Sequence, residues 1–311
     1  MRQRLWPFLI LLVILIVVVD FFFEVKSLNE VSVPVAEENT EIVDNMGTGV
    51  DEKSELTNDS LEKEITALSN ADSTHYSVYI AYPEEARHPY IYQSHSMRSA
   101  SMIKMFLLAA AMEKVKIGDL SLDMDIVIHH EDKVGGSGVL CGYLDETKIT
   151  LDKLLRLMIT ESDNTATNIL IDLLGMENIN DYITQNGYSD TRLARKMMDF
   201  AAVKAGKENY TSVFDLGNLF NKIHRHECVS PELDDMMLSY LQGQTDRECF
   251  PTALPEAVIA HKTGELNGVY DDGGIINLDG RILIVVIMTE NYSNRNKAIE
   301  TMKSMVRAAV R

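Results

Sequence analysis

Basic side chains are scarce in this sequence. Its 311 residues hold 29 lysines and arginines against 47 aspartates and glutamates, a formal net charge of −18. A surface that negative repels phosphate backbones and argues against a nucleic-acid partner. Metal-binding spacing is missing as well. The eight histidines make no His-Glu-x-x-His, and the pairs His129-His130 and His224/His226 lack a third spaced ligand, so no metal site is expected. Neither usual glycine-rich phosphate loop occurs, which argues against a nucleotide enzyme, and no cofactor is expected. There are no internal repeats. Only three cysteines occur, Cys141, Cys228 and Cys249. None stands in a recognisable nucleophile context. Outside the cytoplasm two of them can form a disulfide and leave one thiol over, a pairing the sequence leaves open. Cys228 and Cys249 flank a predicted helix (Ser230 as cap, Pro231 in its first turn) and are the favoured couple.

The N-terminus speaks for location. Arg2 and Arg4 precede an apolar run from Leu5 to Phe23, broken only by Pro7 and Asp20. That length is close to the roughly 20 residues needed to span a bilayer. Arginines before the run and acids after it favour a cytoplasmic N-terminus with the bulk outside. No small-x-small cleavage site and no lipid-attachment cysteine follows Phe23, so a signal anchor over residues 1–23 is expected rather than a cleaved leader. The protein is then a single-pass protein of the cell membrane. From Glu24 to Asn70 the chain carries 12 acids and 3 bases, half of the net charge. Residues 24–58 read as a solvated extracytoplasmic linker. Asp59-Ser-Leu-Glu62 is a capping-box pattern and opens a folded domain over 59–311.

Within that domain the period of the apolar residues changes twice. His75–Ala81 alternates, Pro83–Pro89 is a turn and Tyr90–Gln93 returns. A long apolar helix runs from Ser101 to about Lys116, closed by Gly118. The middle is helical: Leu151–Thr160, Asn164–Leu174, Met176–Asn186, Val213–His226 and Pro231–Leu241. The tail turns to strands again, with Val258–Lys262 followed by a hairpin of 274–278 and 281–288 on the Asp279-Gly280 turn, and then a helix over about 296–310. Strands at both ends with helices between them predict an α+β domain. One antiparallel sheet (about 59–117 and 255–311) is flanked by helices, and an all-helical subdomain (about 118–254) is inserted into it. A cleft between the two halves suits a small-molecule substrate. A monomer is expected.

Three short motifs carry chemistry. Ser101-Met-Ile-Lys104 puts a hydroxyl and an amine on one face of a helix start, where free N–H groups and the positive dipole end favour a developing oxyanion. A desolvated Lys104 can take the hydroxyl proton. Alone the pattern says little, since Ser60-Leu-Glu-Lys63 repeats it in a polar segment. Ser162-Asp163-Asn164 lies between two helices, where Ser162 can relay a proton and the Asn164 amide can grip a carbonyl, although such residues also serve as plain helix caps. Lys262-Thr263-Gly264 ends a strand: a cation and a hydroxyl suit a carboxylate, Gly264 permits close approach, and the N–H of Glu265 offers a second oxyanion donor.

Taken in this order, the trio resembles class A β-lactamases and penicillin-binding proteins, from about His75 to Arg311. Ser162-Asp-Asn-Thr-Ala-Thr-Asn-Ile-Leu and the Gly-Ile-Ile of the tail hairpin share the likeness. The resemblance implies a β-lactamase/transpeptidase-like fold, Ser101 as acylated nucleophile and Lys104 as its base. It implies Ser162 as proton shuttle, Asn164 as substrate binder, and Lys262 and Thr263 as carboxylate anchors. Two departures qualify it. Aligning on Thr191-Arg192-Leu193 puts Met197 where class A enzymes carry the glutamate that activates the deacylating water, with Asp199 the nearest acid. Asp271-Asp272-Gly273-Gly274 stands where many β-lactamases place an arginine near the substrate carboxylate. Slow deacylation is therefore expected, on β-lactams or D-Ala-D-Ala peptides. The alternatives are an efficient β-lactamase using Asp199 or Glu265, a non-catalytic β-lactam sensor, and an esterase or amidase on the same fold.

Overall fold

A computed structural model describes residues 58–311. The expected anchor at 1–23 and nearly all of the acidic linker lie outside the described residues. Among the described residues no helix is long and apolar enough to cross a membrane. The capping-box pattern does fall in a helix, α1 (Asn58–Ser69). β1 (His75–Ala81), β2 (Tyr90–Tyr92) and β3 (Met97–Arg98) follow, then a 3-10 turn over Ala100–Ile103 that runs into α2 (Lys104–Lys116). The middle holds β4 (Asp125–Ile128), β5 (Thr147–Thr150), α3 (Leu151–Thr160), α4 (Asn164–Leu174) and α5 (Met176–Gln185). It continues with α6 (Phe200–Lys204), β6 (Tyr210–Thr211), α7 (Val213–His224) and α8 (Pro231–Gln242). The tail is α9 (Phe250–Ala253), β7 (Val258–Leu266), β8 (Val269–Leu278), β9 (Arg281–Glu290) and α10 (Arg295–Ala309).

The main sheet has the order β2-β1-β9-β8-β7 and is antiparallel throughout. Strands from the two ends of the chain meet as expected, β1 on β9 from His75↔Glu290 to Ala81↔Ile284. Both faces are covered, so the central strands are apolar on both sides rather than alternating apolar and polar. Val78, Ile80, Val285 and Ile287 face α1 and α10, against Leu61, Ile65, Ile299 and Met302. Tyr79, Ile284, Val286 and Met288 join the other core, which continues into the helices around α2. That helix has no polar side: Met105 to Met112 are all buried, as a helix at the centre of a bundle requires.

Two expectations need correction. The hairpin in the tail is longer than its sequence suggested, because β7 runs on past Lys262 to Leu266 and turns at Asn267-Gly268 into β8. Asp271, Asp272, Gly273 and Gly274 look like chain breakers but sit inside the sheet. Asp272 is buried against His261 Nδ1 at 2.8 Å and accepts the Phe250 N–H at 3.0 Å. Asp271 accepts the Thr289 N–H at 3.0 Å, and burial pushes its carboxyl well above the usual range. The second correction concerns the cysteines. Cys141, Cys228 and Cys249 are all free. Cys228 packs on the helical core and Cys249 lies in the core under α10, so the favoured couple belongs to separate clusters.

Candidate active site

The turn that carries Ser101 is held from behind. Ala100 has φ +43°, a left-handed value that costs an L-residue energy and recurs where a site over-determines the backbone. The helix proper starts only at Lys104, so Ser101 lies in the 3-10 turn before it, half-buried, rather than in the first α turn. β7 passes directly over this turn. A Cβ on Gly264 would lie 3.2 Å from Ser101 N and 3.1 Å from the Ala100 Cβ, so glycine lets the strand come this close without pushing the turn back by a few tenths of an ångström.

Ser162 brings the other groups together. It too has a left-handed φ, +51°, which turns its side chain back from the start of α4. Its Oγ lies 3.1 Å from Lys104 Nζ and 3.0 Å from Lys262 Nζ. Lys104 Nζ also donates to the Ser162 carbonyl at 2.6 Å and to Asn164 Oδ1 at 2.9 Å, and Lys262 Nζ donates to the Thr263 carbonyl at 2.6 Å. Both lysines are fully buried. Burial, then the nearby charge of Lys262, pulls the Lys104 amine well below the usual lysine range. Burial likewise lowers Lys262, to about 7, against the opposing pull of Asp246 and Asp272. Among the described residues no hydrogen bond joins Ser101 Oγ to Lys104; the amine is turned toward Ser162 and Asn164.

The middle residue of the Ser-Asp-Asn motif is a structural clamp. Asp163 Oδ1 caps α4 through the Ala166 N–H at 2.8 Å, while Oδ2 accepts the N–H groups of Val139 at 2.6 Å and Leu140 at 2.8 Å. Gly138, φ +111°, gives Asp163 its room, since a Cβ there would meet the carboxylate at 2.3 Å. Asn164 Nδ2 donates to the Gly135 carbonyl at 3.1 Å. The 134–140 loop is thereby fixed to the helix that carries the site.

Sequence reasoning passed over Asn168. It follows Asn164 by four residues, hence on the same face of α4, and that spacing was the available signal. Its amide donates to the Met197 carbonyl at 3.1 Å and its Oδ1 accepts the Met197 N–H at 2.8 Å. Met197 is therefore the loop residue pinned beside the site, and it is buried. Asp199 is engaged as a cap: its Oδ1 accepts the Ala202 N–H at 2.9 Å at the start of α6. Glu265 is engaged as well, by Arg295 at 2.7 and 2.9 Å. His129 and His130 face Glu146 and Asp145 at the surface. Among the described residues no three His, Cys, Asp or Glu side chains converge as a metal site.

Known proteins share this fold. The model of a family described as "Beta-lactamase enzyme family" matches residues 60–311. The extended-spectrum beta-lactamase PER-1 of Pseudomonas aeruginosa is 24% identical over 220 residues, covering 66% of this chain and 71% of that protein. A solved beta-lactamase from Sphaerobacter thermophilus superposes with a TM-score of 0.73 at 30% identity, over 80% of this chain and 95% of that one. PBP-A superposes with a TM-score of 0.72 at 25% identity, over 80% and 93%. A leucine-to-glutamate mutant of PBP-A, solved as an acyl-enzyme complex with penicillin G, gives 0.73 at 24% identity over the same shares.

Proposed function

The chain belongs to the beta-lactamase enzyme family, and on that premise we propose that it is a penicillin-recognising serine hydrolase whose Ser101 acyl-enzyme is released slowly. The acyl donor is a β-lactam or a D-Ala-D-Ala peptide. Ser101 Oγ forms a bond to the donor carbonyl carbon, and the carbon–nitrogen bond breaks. The hydroxyl proton goes to Lys104 and through Ser162 to the departing nitrogen. Asn164 holds the acyl amide, Lys262 and Thr263 hold the carboxylate, and the N–H groups of Ser101 and Glu265 receive the oxyanion. The observation that carries this reading is Ser162 Oγ within 3.1 Å of both lysine amines. Slow release is supported by a methionine, not an acid, being the pinned loop residue, with Asp199 and Glu265 both committed to other partners. The apolar run from Leu5 to Phe23 and the acidic stretch after it support placing this site outside the cell membrane on a tether.

Intact-mass spectrometry with benzylpenicillin tests it. A penicilloyl adduct on Ser101 that persists for many minutes is the expected result. Rapid drug hydrolysis with only a fleeting adduct would overturn slow release, and no adduct at all would overturn the acyl-enzyme.

The lysines predict a pH profile. Lys104 must be neutral to accept a proton, and its amine is held well below the lysine range, so acylation at low drug concentration rises as pH climbs through its titration. Lys262 must be charged to hold a carboxylate, and it loses its proton near 7. Acylation should then fall above neutrality, giving a bell-shaped curve. Labelling rates across buffers check this, and a flat profile through the neutral range would remove Lys262 from its role.

A further inference from the structure

Arg295, the first residue of α10, holds two carboxylates at once. Its Nε and Nη2 donate to Glu265 Oε1 and Oε2 at 2.7 and 2.9 Å, and its Nη1 and Nη2 donate to Glu248 Oε1 and Oε2 at 2.8 Å each. The guanidinium carbon also lies 5.0 Å from the centroid of the Tyr270 ring, and Tyr270 is the β8 partner of Glu265 in the register. Two forked pairs of this kind fix direction as well as distance. They act where the sheet has least support. β7 is an edge strand, bound to β8 on one side only, and the face it presents at Gly264 lies against the turn that carries Ser101. The strand must stay there for a backbone N–H to meet an oxyanion, because a shift of about 1 Å in such a donor can cost up to about 10²-fold in rate.

Given the acyl-enzyme reading above, on which this rests, we infer that Arg295 is a positioning residue for acyl transfer: it ties the backbone of Glu265, and so the second oxyanion donor, to α10 and to the loop before α9. A purely structural tie at this place would matter little. Arg295, Glu248 and Glu265 are each partly exposed, and exposed ion pairs add little to stability. The consequence belongs to the chemical step rather than to binding.

The experiment compares the full chain with its Arg295→Gln and Glu265→Gln variants, using benzylpenicillin carrying carbon-13 at the reacting carbonyl. Acylation at saturating drug should slow about tenfold in both variants, the loss expected of a displaced rather than deleted oxyanion donor. The half-saturating concentration should stay within about twofold, the signature of an interaction made in the transition state. The ester carbonyl band of the adduct should move to higher frequency, because its oxygen accepts a weaker hydrogen bond. Arg295→Lys keeps the charge without the fork and should recover only part of the rate. If Arg295→Gln fails to fold, Glu265→Gln, which leaves α10 intact, decides the matter. Wild-type rates and an unmoved carbonyl band would overturn the role of Arg295, as would a change confined to half-saturation. A wild-type protein that forms no ester would instead overturn the acyl-enzyme reading, and the wild-type sample alone distinguishes the two failures.

Discussion

A Ser101→Ala protein should take up no penicillin, with labelling falling below detection while the fold is retained. The loss should be complete because, in the reading proposed above, Ser101 alone supplies the attacking oxygen, and Ser162 Oγ, which accepts from both lysine amines, serves as the proton relay. The buried thiols are poor candidates: burial pushes Cys228 up to about 12 and Cys249 well above its ordinary value, so neither is a thiolate at neutral pH. Removing one oxygen from a half-buried serine in a 3-10 turn should shift stability by no more than about 0.5 kcal/mol. A matched melting curve would therefore separate lost chemistry from lost structure. Intact mass after incubation with benzylpenicillin reads the result. An adduct that survives would move the nucleophile elsewhere, with Ser162→Ala as the next variant.

The parts of this protein legible in its sequence are those with a strong period or a strong cap. α3, α4, α7 and α8 have an apolar stripe and a capping side chain, Thr150, Asp163, Ser212 or Ser230, and the predicted starts match. The pairing of strands from the two chain ends followed from element order alone. β4 and β5, four residues each, and the two-residue β3 and β6 carry too little pattern to be seen. Asp271 and Asp272 misled because polar residues in a strand are read as a break, whereas here each carboxyl takes a partner from elsewhere in the fold, the Thr289 N–H on Asp271 Oδ1 and the His261 ring on Asp272 Oδ1. The three motifs could be found, but their mutual placement could not. Left-handed backbone at Ala100 and Ser162, and a glycine's close approach at Gly264, are tertiary facts with no local signal. The pinning of Met197 by Asn168 was half visible, as a spacing on α4 whose partner lies 29 residues away.

That pinning sets the second large expectation: Met197→Glu should shorten the life of the penicilloyl adduct by about 10²-fold, the lower end of what a general base contributes. The two hydrogen bonds with Asn168, one donated to the Met197 carbonyl and one accepted from its N–H, involve only the Met197 backbone, so they survive the substitution and present the new side chain in the old direction. Glutamate nearly matches methionine in length. A cavity of about 240 Å³, lined in part by Asn168, Ile169, Met197 and Asp199, opens beside it and leaves the carboxylate room to settle, although none of the three motifs lines that cavity. Met197 is only 7% exposed, so burial should raise the carboxyl of the new glutamate toward neutrality, where a base is most useful. The same burial carries a stability cost of about 1–3 kcal/mol, seen as a lower melting temperature. Met197→Gln supplies the control, with the same shape and no basic oxygen, and its adduct should last as long as the wild type's. The decisive quantity is the ratio of the two lifetimes by time-resolved mass spectrometry. If the glutamate variant releases its acyl group no faster than the glutamine variant, the missing acid at 197 is not what stalls hydrolysis, and slow release must come from how the site excludes water.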